Sequence, residues 1–394
     1  QKKAGIEDSF DLLEKDILVA GNYMNDKAKV HLLAQSALSN FEWTVNELGV
    51  EYLPDAIGQE GGHSVPRYVT TKNGSGSGIV QKELDKCKEL GIPVRLRCYV
   101  QNIIRTEKGV EGVRVREGYR FPNEGSGKEK TIRATKGVVL CYGGFSADVK
   151  FRMFQDPKLD GSLDTTNQPG ATGDALMAAQ RIGATDIQMD WIQLGPWTSP
   201  DEKGFGVAPK IVEAVVGYGF MVDPETGKRF VNETGNRKVR SDAIVATGHP
   251  AVLAVSVDNV GHVPAEALKT GLEKGVVKTF DSAEALADFH KIPKDAFMAS
   301  LKTWNEAVKA KKDPAFNAKI FDDTKVNEGK FYSIRLWPRV HYTMGGLAIT
   351  PKAEVIGNDL KPIPGLYAAG EICGGVHGMV RLGTVSIVDC LLFG

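Results

Sequence analysis

The stretch AAGEICGGVHGMVRLGTVSIVD, residues 368–389, decides the fold of this chain. It overlaps the apolar run IPGLYAAGE, so a strand, a glycine-rich turn and a helix from about Thr384 are expected in that order. The turn carries Glu371, His377 and Arg381. A buried strand that leads through a glycine turn into a helix is typical of a layered α/β protein.

Three earlier segments agree with this class. KGVVLCYGGF (136–145) has the near-continuous apolar character of a strand buried on both faces. NQPGATGDALMAAQRIGA (167–184) predicts a Gly/Pro turn and then a helix. Residues 92–118 are rich in β-branched residues, with turn signals at residues 107–109 and 111–112. Most of the first ninety residues show helical spacing.

Residues 190–340 differ in character from the rest of the chain. Two amphipathic helices are predicted at 282–292 and 294–312, among Gly/Pro-containing loops. We therefore expect a second domain inserted into the first. The predicted divisions are 1–189, 190–340 and 341–394.

Composition excludes several classes of function. The 394 residues include 49 basic and 49 acidic side chains, so no strong field would attract nucleic acid or an anionic membrane. No apolar run is long enough to predict a transmembrane segment. The five cysteines are scattered, which argues against a metal site or a disulfide framework.

A dinucleotide-binding domain normally opens with a strand, GxGxxG and a helix, and this chain does not. The nearest substitute is NGSGSGIV (73–80), which is read either as a flexible turn or as a close backbone approach to a ligand.

Five side chains are candidates for chemistry. Arg381 lies in an apolar, glycine-rich stretch where its guanidinium could bind an incoming carboxylate. His341 is either a structural histidine or, beside TMGG, part of a site. Glu213, in an apolar run, could be half of a buried structural ion pair. Of Arg237 and Arg240, in a loop leading into a helix, Arg240 is expected to be solvated.

The chain resembles the fumarate reductase flavoproteins. Residues 363–389 are similar to the closing motif of that family, and four further motifs follow the same order: GVVLCYGGF (137–145), TTNQPGATGDAL (165–176), GKRFVNE (227–233) and VHYTMGGL (340–347). The resemblance covers about residues 60–394. It implies an α/β fold, with a doubly wound FAD-binding domain that is incomplete at its N-terminus and an inserted α+β clamp domain. It also implies a substrate site between the clamp and the isoalloxazine.

The same resemblance implies roles for individual residues. Arg237 matches the proton donor, Glu213 the carboxylate that relays protons to it, and His341 with Arg381 the pair that binds the substrate carboxylate. Hydride would pass from flavin N5 to the β-carbon of an enoate, and the cationic residues would stabilise the developing enolate. The predicted contacts of the cofactor FAD are Val100, Asp174, Tyr342, Glu371, Ser386 and Ile387; no metal site is predicted.

Several positions depart from the family pattern. Gly195 and Val212 stand where fumarate-specific members have a histidine and a threonine for the second carboxylate. Val216 replaces a relay arginine, Thr384 a glycine and Val380 an asparagine. With His341 and Arg381, the resemblance implies substrate contacts at Thr384, Gly195 and Val212. Burying a second carboxylate without polar partners would cost several kcal/mol. The predicted substrate is therefore a monocarboxylic enoate, urocanate- or cinnamate-like first and acrylate or methacrylate next.

Alternatives remain at this point. One is a fumarate reductase, and another is a flavin-dependent oxidase or dehydrogenase, as in L-aspartate oxidase or the ketosteroid dehydrogenases. The arginines argue against a steroid, which has no carboxylate. A third alternative is a flavin-less ligand-binding remnant. The electron donor is expected outside this chain, as a haem, FMN or NADH-linked domain or a membrane quinone. Localisation is left open between periplasm and cytoplasm, and the resemblance favours the periplasm.

Overall fold

The computed structural model describes residues 1–123 and 125–394, apart from the side chains of residues 55 and 56. These residues form two compact units. The outer unit comprises residues 1–158, 169–192 and 342–394. The inserted unit comprises residues 159–168 and 193–341.

Eleven α-helices are found in the described part of the chain, in sequence order: α1 Phe10–Ala20, α2 Lys27–Asn46, α3 Ser77–Glu89, α4 Val149–Gln155, α5 Asp174–Arg181, α6 Ala208–Val215, α7 Arg237–Thr247, α8 Ala265–Glu273, α9 Ala283–His290, α10 Lys294–Ala310 and α11 Val385–Phe393. Sequence periodicity correctly predicted α9 and α10. Arg240 lies inside α7, whereas the sequence placed it in a loop before the helix.

The strands of the described residues are β1 Tyr52–Gly58, β2 Tyr68–Thr71, β3 Cys98–Thr106, β4 Gly109–Glu117, β5 Lys128–Arg133, β6 Val138–Leu140, β7 Asp186–Ile187, β8 Ile192–Gly195, β9 Phe220–Val222, β10 Ala251–Ser256, β11 Val277–Phe280, β12 Phe331–Leu336, β13 Arg339–Thr343, β14 Gly346–Leu347, β15 Glu354–Ile356 and β16 Pro362–Ala368. No helix in the described residues has the length and apolar character needed to cross a bilayer.

The outer unit is built around the strand that the opening motif predicted. β16 pairs in parallel with β6 and antiparallel with β15, and a separate meander joins β3, β4 and β5. Leu140, at the end of β6, lies in the same apolar core as Leu366 of β16. The expectation that β6 is buried on both faces is wrong, because Val139 is 55% exposed.

The meander corrects one predicted turn. Residues 107–108 do connect β3 to β4, but Glu111 and Gly112 lie within β4 rather than in a turn. Gly112 has a φ of 152°, and a β-carbon there would lie 2.1 Å from the carbonyl oxygen of Ile132. A glycine is therefore needed where β4 approaches β5 closely, next to an irregularity in the pairing of β3 with β4.

The inserted unit is a three-layer structure around β10. The antiparallel sheet has the order β11-β12-β10-β9, and every residue of β10 is buried. Leu253 and Val255 face a core that includes residues of α6 and α8. Val252 and Ala254 face a second core that includes residues of α9 and α10. A continuous apolar strand is expected where helices cover both faces of a sheet.

A buried ion cluster links the inserted unit's loops to its core. All three guanidinium nitrogens of Arg229 donate hydrogen bonds, at 2.8–3.3 Å, to the carboxylates of Glu233 and Asp313. The same guanidinium lies 4.8 Å from the ring centre of Trp304. Burial alone would lower the pKa of Arg229, but the two carboxylates raise it, so the guanidinium stays charged.

We expect Arg229→Met to destabilise the protein by about 3–5 kcal/mol, because it leaves two buried carboxylates without their cation. Arg335→Met is the matched control. Arg335 pairs with Asp201 at a partly exposed position, where removing a pair costs about 0–1 kcal/mol. The free energy of unfolding from urea titration distinguishes the two variants. Equal losses would show that the buried cluster contributes no more than a surface pair.

Candidate functional site

A cluster of four buried side chains lies in the outer unit. The hydroxyl of Tyr342 is 3.3 Å from Nε2 of His377, and that nitrogen is 3.3 Å from Oδ2 of Asp389. The guanidinium carbon of Arg381 lies 4.7 Å from the centre of the Tyr342 ring. Burial holds the pKa of Tyr342 well above its usual value, so the phenol stays neutral. Sequence reasoning predicted Tyr342 and Arg381 but gave no role to His377 or Asp389.

Glu371 is the second ionisable feature of this unit. Burial raises its pKa to about 7, against the lowering effects of Arg381 and of the Thr343 amide, which donates to Oε1 at 2.9 Å. A β-carbon on Gly144 would lie 2.4 Å from that same oxygen. The glycine pair of the GVVLCYGGF motif thus lets the chain lie directly against Glu371.

The start of α11 holds three more predicted residues. Thr384 precedes the helix with a φ of 66°, and no side chain caps the helix. Ser386 and Ile387 lie in the first turn. The amide of Ile387 donates to the carbonyl of Thr384 at 3.0 Å, and the amides before it stand at the end of the helix, where the helix itself provides no acceptor. Ile387 is 47% exposed. This end of the helix therefore offers amide donors beside an exposed apolar side chain.

Thr384 occupies a conformation that favours glycine. A β-branched residue in the left-handed region costs about 1–3 kcal/mol. We expect Thr384→Gly to raise the free energy of unfolding by about 1 kcal/mol, since the relieved strain outweighs the added chain entropy of glycine. Thr384→Ala keeps the strained conformation and should show no gain. Denaturant titration of both variants provides the measurement, and an equal gain for alanine would contradict the strain argument.

Val100 and Asp174 lie on adjacent elements of the outer unit. Val100 is in β3, opposite Val115 of β4, and Asp174 is the first residue of α5. α5 packs against β3. All six predicted flavin contacts are thus in the outer unit, and their roles stay predictions.

In the inserted unit, Trp197 joins two predicted residues. The guanidinium carbon of Arg237 lies 5.5 Å from the Trp197 ring centre, and its Nη1 donates to Oε1 of Gln193 at 3.4 Å. The ring of His341 meets Trp197 edge-on, with centroids 4.8 Å apart. Thr166 holds that imidazole through a 2.8 Å hydrogen bond at Nδ1. Arg237 and His341 are therefore brought together around one indole.

The two positions that depart from fumarate-specific members also involve this indole. A β-carbon on Gly195 would lie 2.7 Å from the six-membered ring of Trp197, so the indole leaves no room for a side chain there. Val212 is fully buried in an apolar core that includes Trp197. Sequence reasoning gave Trp197 no role, and a glycine two residues before a tryptophan was the available signal.

The expectation that Arg240 is solvated is wrong. Its side chain is 3% exposed and donates from Nη2 to Oε1 of Glu213 at 3.2 Å. Glu213 is therefore paired, and it is 28% exposed. In residues 1–123 and 125–394, no three His, Cys, Asp or Glu side chains are arranged to hold a metal ion.

The outer unit has the donor set that FAD would need. The start of α11 would offer backbone amide donors to the cofactor, and the exposed Ile387 would offer an apolar contact. Nδ1 of His377 and the carboxylate oxygens of Asp389 are buried without a hydrogen-bond partner among the described residues. Buried polar groups of this kind are rare and commonly mark a ligand site. The residues present fit the cofactor.

Comparison with known proteins gives the family. Residues 1–387 match the model of the FAD binding domain. The chain is 39% identical to the acrylate reductase flavoprotein subunit of Shewanella woodyi, 35% to a fumarate reductase (cytochrome) of Shewanella frigidimarina and 32% to a urocanate reductase of Eggerthella lenta. Each match covers the whole chain, which spans 79%, 66% and 64% of those proteins.

A solved structure agrees with these matches. The open conformation of a flavocytochrome c3 fumarate reductase superposes with a TM-score of 0.76 and 28% identity, over 100% of this chain and 67% of that one. The predicted α/β flavin-binding fold is confirmed. The chain belongs to the FAD-binding domain family and is an FAD-dependent oxidoreductase of the fumarate, acrylate and urocanate reductase group.

Proposed function

We propose that this protein reduces the carbon–carbon double bond of an α,β-unsaturated monocarboxylate, with Arg237 as the proton donor. The observation that carries the proposal is the packing of Trp197 over Gly195. It removes the space for a polar side chain at the position where fumarate-specific members hold a second carboxylate. Val212 adds no polar group, because it is buried among apolar residues. A second carboxylate would therefore lose its hydration without a partner.

Arg381 and His341 are proposed to bind the one carboxylate that remains. The buried guanidinium of Arg381 lies over the Tyr342 ring, which restricts its orientation and lowers the entropy lost on binding. His341 is oriented by Thr166 at one ring edge and by Trp197 at the other. Positive groups around the carboxylate withdraw electron density from the double bond and stabilise the enolate that forms.

Arg237 is proposed to deliver the proton to the α-carbon. FAD supplies the two-electron reducing chemistry when it is bound. A guanidinium gives up its proton only to a strongly basic atom, which the α-carbon of the enolate provides. Gln193 and the Trp197 ring hold the guanidinium in place. Fixing the donor before the reaction lowers the entropic part of the barrier.

Small enoates are proposed as the best substrates, which reverses the order expected from the sequence. The indole of Trp197 fills the space that Gly195 would otherwise leave, which favours acrylate or methacrylate over urocanate or cinnamate. Similarity to an acrylate reductase flavoprotein subunit supports the same order. The aromatic acids are the second candidates, because Trp197 and Phe205 present rings near His341.

The test uses the full-length, FAD-loaded protein, reduced anaerobically and mixed with acrylate, methacrylate, urocanate, cinnamate or fumarate. Flavin reoxidation should be fastest with acrylate and at least about tenfold slower with fumarate. Trp197→Phe removes the ring that faces Gly195, so the ratio of cinnamate to acrylate rates should rise by about tenfold or more. Fastest reoxidation by fumarate would contradict the proposal.

The electron donor is proposed to be a haem, FMN or NADH-linked group outside residues 1–394. The relatives support a separate donor by their names, since one is called a flavoprotein subunit and another a fumarate reductase (cytochrome). Reducing the full-length protein with NADH, and in a parallel sample with a chemically reduced haem protein, distinguishes these donors. Flavin reduction by neither would contradict the NADH- and haem-linked forms of this proposal.

A further inference from the structure

The ion pair between Glu213 and Arg240 connects the surface of the inserted unit to its interior. Glu213 lies in α6 and Arg240 in α7, and one hydrogen bond of 3.2 Å joins them. The carboxylate side chain is 28% exposed, whereas the arginine side chain is 3% exposed. One partner can therefore exchange protons with solvent while the other cannot.

The pair with Glu213 does not provide acceptors for all the hydrogen-bond donors of Arg240. Its Nε and Nη1 are buried and have no hydrogen-bond partner among the described residues. Arg229, the structural arginine of the same unit, uses all three nitrogens to bind two carboxylates. Leaving buried charged donors without acceptors costs free energy, so a guanidinium arranged in this way does not serve stability alone.

The position of Arg240 on its helix brings it beside the proposed proton donor. Arg237 is the first residue of α7, and Arg240 follows three residues later. Side chains separated by three residues are neighbours on one face of a helix, with β-carbons about 5–6 Å apart. Val216, where the family resemblance led us to expect a relay arginine, packs instead against the apolar core of the inserted unit.

We propose that Arg240 relays protons from Glu213 to Arg237, taking over the task of the arginine that is absent at Val216. The inference rests on the proposed function, in which Arg237 protonates the substrate. Arg240 touches no substrate and acts through Arg237. It is therefore a positioning residue. It lies in α7, whereas the arginine that the family resemblance implies would lie at the end of α6.

The proton balance of the relay is closed. The substrate α-carbon takes a proton from a nitrogen of Arg237, and Arg237 regains one from Arg240. Glu213, a carboxylate in the resting ion pair, takes up a proton from solvent and passes it to Arg240. Each N–H or O–H bond that breaks is replaced by one that forms, so the three residues return to their starting charges after each turnover.

The experiment compares four variants of the full-length, FAD-loaded protein. Arg240→Met removes the relay, and Arg240→Lys keeps one charge. The exchange variant Val216→Arg/Arg240→Ala removes the arginine of α7 and places one at position 216, where the family resemblance led us to expect it. Arg335→Met, which removes an arginine from the partly exposed pair with Asp201, is the matched control. Each is reduced by dithionite and then reoxidised by the enoate that the wild type reduces fastest.

For Arg240→Met we expect roughly 10- to 100-fold slower reoxidation at saturating enoate, an unchanged KM and a larger solvent isotope effect. Flavin reduction by dithionite should be unaffected. The lysine variant should retain intermediate activity, the exchange variant should recover at least about a third of the wild-type rate, and the control should match the wild type. If the methionine variant fails to fold, the reoxidation rates of the lysine and exchange variants test the relay instead.

If the reduced Arg240→Met variant is reoxidised by the enoate at the wild-type rate, the relay is overturned. A slow methionine variant whose solvent isotope effect is unchanged and whose activity the exchange variant does not restore would also overturn it, because that pattern indicates a structural role. Failure of the proposed function looks different: either no enoate reoxidises the wild type, or Arg237→Ala remains active.

Discussion

Arg237→Ala is expected to lower enoate reduction by about three orders of magnitude or more, because it removes the only group assigned to protonate the α-carbon. The guanidinium lies in the inserted unit against Trp197 and Gln193, whereas all predicted flavin contacts belong to the outer unit. FAD absorbance and its reduction by dithionite should therefore be unchanged. The measurement is anaerobic reoxidation of the reduced enzyme by acrylate.

Two further variants sharpen that result. Arg237→Lys keeps a positive charge but loses the planar donor, so a partial activity, well below that of the wild type, is expected. Lys238→Met changes the next residue, which forms an exposed pair with Asp242, and should leave the rate unchanged. Retained activity in Arg237→Ala would remove the residue from the proton-donor role.

Arg381→Met should reduce kcat/KM for acrylate by about 30- to 5,000-fold, since losing a buried charged partner costs about 2–5 kcal/mol. Arg381 is 4% exposed and lies over the Tyr342 ring, so water cannot easily replace the contact that we propose it makes with the substrate carboxylate. The loss should appear mainly as a higher KM, because the carboxylate is present in both the substrate and the transition state.

Acrylamide provides the matched substrate for this prediction. It has the same double bond and no charge, so the wild type should prefer acrylate strongly and Arg381→Met should prefer it little. Tyr342 could lose its packing in the variant, and the FAD absorbance spectrum monitors that effect. An unchanged ratio of acrylate to acrylamide would show that Arg381 does not bind the carboxylate.

The fold was predictable where local periodicity and a sequence motif agreed. The apolar period of α9 and α10 and the strand–turn–helix order of residues 362–393 both appear in the structure. The burial of β6 was predicted wrongly. Its apolar run is the same whether one face or two are covered, and Val139 is exposed. Periodicity reports which residues are apolar, and not how many layers cover them.

The site was less predictable, because its contacts join residues that are distant in sequence. Arg240 was expected to be solvated, as most arginines are, but α6 brings Glu213 to it. The contact between Trp197 and Gly195 depends on a side-chain orientation that no spacing rule gives. His377 and Asp389 both lay within the motif that identified the family and still received no role, since only the fold brings them together beside Tyr342.

The parallel pairing of β6 with β16 has a consequence for the order of folding during synthesis. Val138 pairs with Leu366, and the entire inserted unit is translated between them. At about 5–20 residues per second, β6 waits on the order of ten seconds or more for its partner strand. The β10 sheet pairs only strands from residues 220–336 and can assemble during that delay. A ribosome-bound chain should thus show a folded inserted unit before the outer unit closes, and a pause after residue 341 would lengthen the exposure of the unpaired β6 edge.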